Sequence, residues 1–303
     1  MPTLNSERTL EKSLGSIKKQ KYPANVNIYV IDGGSSDKTL EICSRLGVSV
    51  LEEKGKYMHG TNGAYDVGIK SSHAPLILRI DSDNVLVEDD FIQKLVYPLV
   101  EDQSINLSVS ISSYGNDSTC YEKYGSIVDQ HQLKSIASLG HYRGEYAVVE
   151  DLSHGLTNCV IFRRKDFNKV GEFISDTSYL ISLGVRGLSK AAINLSCHYI
   201  HYSIPSYRSQ LQKMIKRVKR VSKEIGNYKV KDSDNSDSVK NEGITIKSYM
   251  RAVRANVKDL LRYRNRIYLC GLLLAIAPLI AMAIHPLSAA RIYFSYLRKL
   301  TGE

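Results

Sequence analysis

Two aspartates separated by one residue, Asp81 and Asp83, follow the apolar run PLILRI (75–80). Where a strand breaks into a loop, side-chain alternation relaxes and both carboxylates can reach one ligand. Two hard oxygen donors suit Mg2+ or Mn2+, and such an ion keeps further coordination positions for substrate phosphates. It would neutralise a diphosphate and stabilise it as a leaving group. An Asp-x-Asp triplet also arises by chance in surface loops. A second apolar run, VNIYVI (26–31), ends at Asp32, with Gly33 and Gly34 behind it. The glycines permit a tight turn and close backbone approach to a ligand. A carboxylate there can accept hydrogen bonds from ribose hydroxyls or a base N–H. The alternative is an Asx turn that caps the next helix.

The elements that must position these groups alternate. Leu10, Leu14 and Ile17 share one face of a helix over 7–19. Strands are expected at 26–31, 48–53 and 75–80, with helices at 37–46 and 60–71 between them. A helix over 88–98, strands near 105–112, 157–164 and 192–202, and a helix over 176–187 complete the series. Residues 113–150, rich in Tyr, Gly, Ser and His, read as an excursion over the site that engages an acceptor. Strand–helix alternation is the doubly wound α/β pattern, whose ligands bind beyond the carboxyl ends of the strands. Neither GxGxxG nor GxxxxGK[ST] occurs, which disfavours a nicotinamide dehydrogenase and a P-loop enzyme.

The 303 residues fit two domains, or one domain with attachments. Charged residues at 24% and hydrophobic residues at 43% describe a folded chain. The five cysteines are odd in number, widely spaced and form no CxxC. That disfavours a disulfide framework or a four-cysteine zinc site and fits a reducing compartment. The net charge of +10 is concentrated in two runs, 208–223 with seven basic groups and 251–266 with six. The 18 uncharged residues 267–284 follow directly. As a helix they span about 27 Å, at the short end of what crosses a bilayer core. A buried core helix is the alternative. The basic flank places residues 1–266 on the cytoplasmic side of a cell membrane, and the positive charge reads as adhesion to an anionic leaflet. No zinc-finger, KH or RRM signature supports nucleic-acid binding. The expected organisation is a catalytic domain at 1–205, a basic amphipathic segment at 206–228, a linker at 229–243, and a basic flank with membrane segment or segments at 244–303.

The strings PTLNSE (2–7), VIDGGSSDKTLEI (30–42), GIKSSHAPLILRIDSDN (68–84) and the weaker VGEFISDTSYLISLGVRG (170–187) together resemble the inverting family 2 glycosyltransferases, over about residues 2–205. The hydrophobic tail resembles that of membrane-attached members acting on polyprenyl lipids. The resemblance implies a GT-A fold, a Rossmann-like mixed sheet flanked by helices, and a divalent cofactor, Mg2+ or Mn2+. It implies a nucleotide-sugar donor and a lipid-linked or glycan acceptor. By the same resemblance Pro2, Thr3, Glu7, Asp32 and Asp81 contact the nucleotide-sugar. Asp83 is the metal ligand, Asp176 the general base, and His201 a late histidine that reaches the metal or diphosphate, with His198 as its competitor. No Q-x-x-R-W follows, so transfer of a single sugar is implied. Three departures stand out. Ser175 occupies the acidic place before Asp176. Tyr65-Asp66 stands where Arg-Asn is common. The buried first strand that precedes Pro-Thr in the family is missing, so a late start or a truncated homologue is expected. The rival readings are a non-catalytic membrane-associated homologue, a sugar-phosphate nucleotidyltransferase and a haloacid-dehalogenase-like phosphatase.

Overall fold

The computed structural model describes residues 1–52, 61–152, 159–170, 186–203, 205–212, 270 and 273. Asp176, most of the expected 176–187 helix, the linker, and nearly all of the basic and membrane segments lie outside the described residues. Among the described residues, no helix is long and apolar enough to cross a membrane.

The chain folds as a mixed α/β structure, and its strands form two sheets rather than one. The smaller sheet is parallel and holds β1 (Pro2–Thr3), β2 (Tyr29–Asp32) and β3 (Ser49–Glu52), in that order. The larger holds β4 (Leu76–Arg79), β5 (Asn84–Leu86), β6 (Leu107–Ser113), β7 (His141–Arg143), β8 (Tyr146–Val149), β9 (Val160–Arg163) and β10 (Ala191–His201). Its order is β4-β9-β6-β10-β8-β7, with β5 added to the far end of β10. The β6–β10 pair is parallel and the other pairs are antiparallel.

Helices cover both faces of this frame. Helix α1 (Leu10–Lys18) buries Leu10, Leu14 and Ile17, spaced as the sequence pattern requires. Helix α4 (Phe91–Glu101) buries Phe91, Leu95 and Leu99 on the same side. The opposite core contains Leu107, Val109 and Ile111 of β6 with Phe162, Ile193 and Leu133. The alternate β6 residues Ser108, Ser110 and Ser112 are buried too, so this strand is covered on both faces, as central strands of α/β folds are. Helices α2 (Thr39–Arg45), α3 (Thr61–Ser71), α5 (Cys120–Ala137) and α6 (Arg164–Val170) complete the set.

The expected absence of the first strand is corrected in part. Two residues of it are present: β1 runs parallel to β2, with Pro2 opposite Ile31 and Thr3 opposite Asp32. The ladder extends to Met1, whose amino group donates to the Tyr29 carbonyl at 2.9 Å and whose carbonyl accepts from Ile31. Met1, strand β2 and edge strand β4 border a cleft of about 260 Å3 lined by Met1, Ile28, Ile31, Leu76, Leu78 and Ile161 among others. Burial pushes the Met1 amine down from the usual 8.0 to about 5, against the opposing pull of the Asp81 charge.

The chain divides into two compact units, Met1–Asn116 with Ser126–Ser203, and Asp117–Gly125 with Ile204–Glu303. The first contains both sheets. Within the second, Cys120 and Cys270 form a disulfide, with Cα atoms 6.2 Å apart, and the Tyr121 and Tyr207 rings lie 6.2 Å apart. This pairing corrects the expectation of wholly reduced cysteines. Cys43, Cys159 and Cys197 are free and buried.

Candidate functional site

The two acidic strand ends lie on different sheets, and the first loop bridges them. Thr3 accepts from Gly33 through its backbone carbonyl at 2.9 Å, which seats the start of the chain on the turn after β2. Asn5 adopts a positive φ of 50°. Its amide donates to Ser35 Oγ at 2.9 Å, and its side-chain oxygen accepts from the Ser36 amide at 2.9 Å. Glu7 accepts from the Lys38 amide at 3.1 Å, and the Glu7 amide donates to Asp37 at 3.1 Å. Ser6 Oγ lies 2.9 Å from Ser82 Oγ, which joins the first loop to the residue between the paired aspartates.

Asp32 is buried, and its carboxylate serves the local turn. Its Oδ2 accepts from the Gly34 and Ser35 amides at 2.9 and 2.8 Å, and its Oδ1 accepts from Ser35 Oγ at 2.5 Å. Gly34 takes a φ of 91°, a conformation that glycine adopts at little cost. The Asx-turn geometry weighed from the sequence is therefore present. Thr3 Oγ1 is buried and has no hydrogen-bond partner among the described residues, and Pro2 lies buried in β1.

The second acidic end is denser in charge. Asp81, Asp83 and His201 converge where β4 ends and β10 meets β5. His201 Nε2 is 3.4 Å from Asp83 Oδ1. The Tyr202 amide donates to the Asp83 carbonyl at 2.9 Å, and Arg8 donates to the Tyr202 carbonyl. Burial pushes the Asp81 carboxyl up; the Arg79 charge pulls it down, Asp83 pushes it up again, and the net shift is upward. Burial alone would lower the His201 imidazole, but its hydrogen bond to Asp83 and the charges of Asp83, Asp81 and Asp129 outweigh it and raise it. His198 goes elsewhere: its Nδ1 is 2.7 Å from Glu88 Oε1, and its amide donates to Glu88 Oε2 at 2.8 Å. Of the two histidines, His201 is the one beside the paired aspartates.

Two contacts of the site are not legible in the sequence. Tyr65 on α3 donates its hydroxyl to Asp81 Oδ1. Arg79, 4% exposed, holds its guanidinium carbon 4.6 Å from the Tyr65 ring centroid. The available signal was an arginine within an otherwise apolar strand, because a buried cation requires a partner. Asp129 is a third addition: its carboxylate accepts from Ser112 Oγ at 3.2 Å near the end of β6.

The donor set fits a divalent cation. Asp81 and Asp83 offer hard oxygens, and the charges of both act on His201. Among the described residues no group of three or more His, Cys, Asp or Glu is arranged to enclose a metal. An ion at Asp83 would therefore complete its shell with substrate phosphate and water, the usual manner of Mg2+.

The profile of glycosyl transferase family 2 matches residues 1–171, more than half of the chain. Glycosyltransferase GlyA of Streptococcus pneumoniae is 26% identical over 208 residues, covering 63% of this chain and 29% of that protein. The Escherichia coli UDP-Glc:alpha-D-GlcNAc-diphosphoundecaprenol beta-1,3-glucosyltransferase WfgD is 31% identical over 88 residues, covering 29% of this chain and 34% of that protein. The chain thus spans about a third of the length of these relatives. Among solved structures, the mannosyltransferase PcManGT of Pyrobaculum calidifontis, with GDP-Man and Mn2+, aligns with a TM-score of 0.50 at 16% identity, covering 98% of this chain and 78% of that one. TarS of S. aureus aligns with a TM-score of 0.52 at 15% identity, covering 91% and 51%. These likenesses show the fold. The profile match, carried by the stretch that builds β1 through α6, shows that the chain belongs to glycosyl transferase family 2.

Proposed function

We propose that the protein transfers a single sugar, with inversion, from a nucleotide-diphospho-sugar to a polyprenyl-phosphate or other lipid-linked or glycan acceptor. The observation that carries this reading is the convergence of Asp81, Asp83 and His201 beside a first loop fastened to them through Ser6 and Ser82. Pro2, Thr3, Glu7 and Asp32 would form the nucleotide side of the site. Asp83 and His201 would hold Mg2+ or Mn2+, and Asp81 would orient the donor. The bound ion supplies positive charge to the leaving diphosphate. Asp176 would take the proton from an acceptor hydroxyl as that oxygen attacks the anomeric carbon. The nucleotide diphosphate leaves from the opposite face, so one displacement inverts the centre.

Use of Mg2+ or Mn2+ is supported by the donor set and by the Mn2+ bound with GDP-Man in the mannosyltransferase of similar fold. The lipid-linked acceptor is supported by the matched stretch of WfgD, whose name specifies a diphosphoundecaprenol substrate. The basic runs at 208–223 and 251–266 and the uncharged 267–284 support attachment to an anionic cell membrane, with the catalytic domain in the cytoplasm. The Cys120–Cys270 disulfide pulls against the cytoplasmic assignment. Counting free thiols in protein trapped from intact cells decides between them.

Calorimetry with Mn2+ and a panel of UDP, GDP, CMP and dTDP tests the activity, with Asp83→Ala beside the unsubstituted chain. Metal-dependent binding of one nucleotide, lost in the variant, is expected. Absence of binding to every nucleotide would favour a non-catalytic homologue, the reading to which Ser175 before Asp176 also points.

A further inference from the structure

Tyr65 is a buried phenol, 3% exposed, on a helix that contributes no titratable group assigned to the reaction. Its hydroxyl donates to Asp81 Oδ1. Its ring is covered by the Arg79 guanidinium, which is itself buried on the strand leading into Asp81. Helix α3 is seated closely on the smaller sheet at Gly68, where an added Cβ would come within 2.7 Å of Ile31 Cδ1. Gly68 and Tyr65 are three residues apart and share a helix face. The close seat therefore fixes the height at which the phenol meets the carboxylate. The bond leaves Asp81 Oδ2 with no hydrogen bond to the described residues.

We propose that Tyr65 is a positioning residue for the donor: stacked against Arg79, it holds Asp81 by one oxygen so that the other is fixed to receive a donor hydroxyl or a metal-bound water. This rests on the transferase reading above. Burying a phenol against a carboxylate and a guanidinium desolvates three polar groups, which is costly unless each is satisfied. An all-apolar contact between α3 and β4 would serve packing alone. The arrangement instead places one donor on one lone-pair side of Asp81, and a carboxylate so anchored loses its rotational freedom before ligand arrives.

The test uses the full chain with Mn2+ and UDP as probe, or GDP where UDP does not bind. Tyr65→Phe keeps the ring over Arg79 and removes only the hydroxyl. Nucleotide affinity in the presence of Mn2+ is expected to fall about tenfold, the size of one hydrogen bond to a charged group. Donor KM should rise by a similar factor, with kcat at saturating donor within about twofold of the unsubstituted chain. Tyr65→Leu, which also removes the stack, should weaken binding further. A purely packing role predicts a lower Tm for Tyr65→Phe with unchanged affinity and KM, and that result overturns the inference. If the unsubstituted chain binds nucleotide and loses it with Asp83→Ala, while Tyr65→Phe binds normally, the inference alone fails. If the unsubstituted chain binds no nucleotide, both readings fail.

Discussion

The side chains of His201 and Asp83 meet at 3.4 Å across the junction where β10 runs antiparallel to β5, and the backbone closes the same contact through Tyr202 N–H and the Asp83 carbonyl. The pairing is thus set by strand register as well as by charge. Replacing Asp83 by Ala removes the carboxylate and leaves that register intact. Turnover should fall by at least 100-fold with Tm changed by only a few degrees. His201→Ala should raise the half-saturating Mn2+ concentration by about tenfold, within the range for a lost metal-site partner. Steady-state rates across a Mn2+ series, with thermal melts alongside, check both. Normal metal-dependent turnover in Asp83→Ala would remove that residue from the site.

Asp176 is assigned as the proton acceptor by resemblance. Asp176→Asn should lower kcat by about 100-fold, within the usual contribution of a general base, with donor affinity nearly unchanged. Single-turnover rates with a hydroxyl acceptor read this directly. An unchanged rate would end the assignment.

The buried Met1 amine makes a pH prediction. Its pKa is 8.0 when solvated and about 5 in the folded chain. Between these values the unfolded chain binds the additional proton. Stability should therefore be complete above pH 8 and decline as the pH falls towards 5, by roughly 4 kcal/mol from this group. Urea unfolding at pH 5.5 and 8 measures it. Acetylating the Met1 amine removes the titrating group, and that chain should lose this pH dependence. An unaltered slope would mean that other groups produce it.

Arg163 offers a stability test away from the reaction. It is buried, and its guanidinium donates to the carbonyls of Ile105, Leu99 and Asp102 where α4 turns into β6. Arg163→Met should cost about 3 kcal/mol, because these buried acceptors lose their partner. Donor binding by the folded fraction should be unchanged. Denaturant titration with calorimetry separates the two effects.

The elements legible in the sequence were those with long apolar runs ending in acid. Val30, Ile31 and Asp32 sit where the pattern placed them, as do the helical Leu10, Leu14 and Ile17. The β7–β8 hairpin leaves little trace in the excursion expected at 113–150: His141–Arg143 is wholly exposed and carries no alternation, and Tyr146–Val149 is too short to stand out. Strand β5, three residues long, was invisible for the same reason. The Cys120–Cys270 bond joins residues 150 positions apart, a separation that spacing rules cannot pair. In the site, the carboxylates announced themselves by position. Tyr65 stands out in the sequence only as a departure from the common Arg-Asn pair, and its contact is not legible there, because an apolar-faced helix usually buries its aromatic residues for packing. Only the fold shows that its hydroxyl ends on Asp81.

The division into two sheets would give the proposed donor a second task. Asp32 ends a strand of the small sheet, whereas Asp81 and Asp83 follow the edge strand of the large one, and no backbone ladder joins the sheets among the described residues. On the proposed reading, a nucleotide-sugar gripped at both places would act as a cross-tie, adding to the Ser6–Ser82 contact that already spans them. Its binding energy is then partly an energy of cohesion. Amide exchange in Tyr29–Asp32 should slow on ligation more than exchange in Leu107–Ser113, which its neighbours already clamp on both sides.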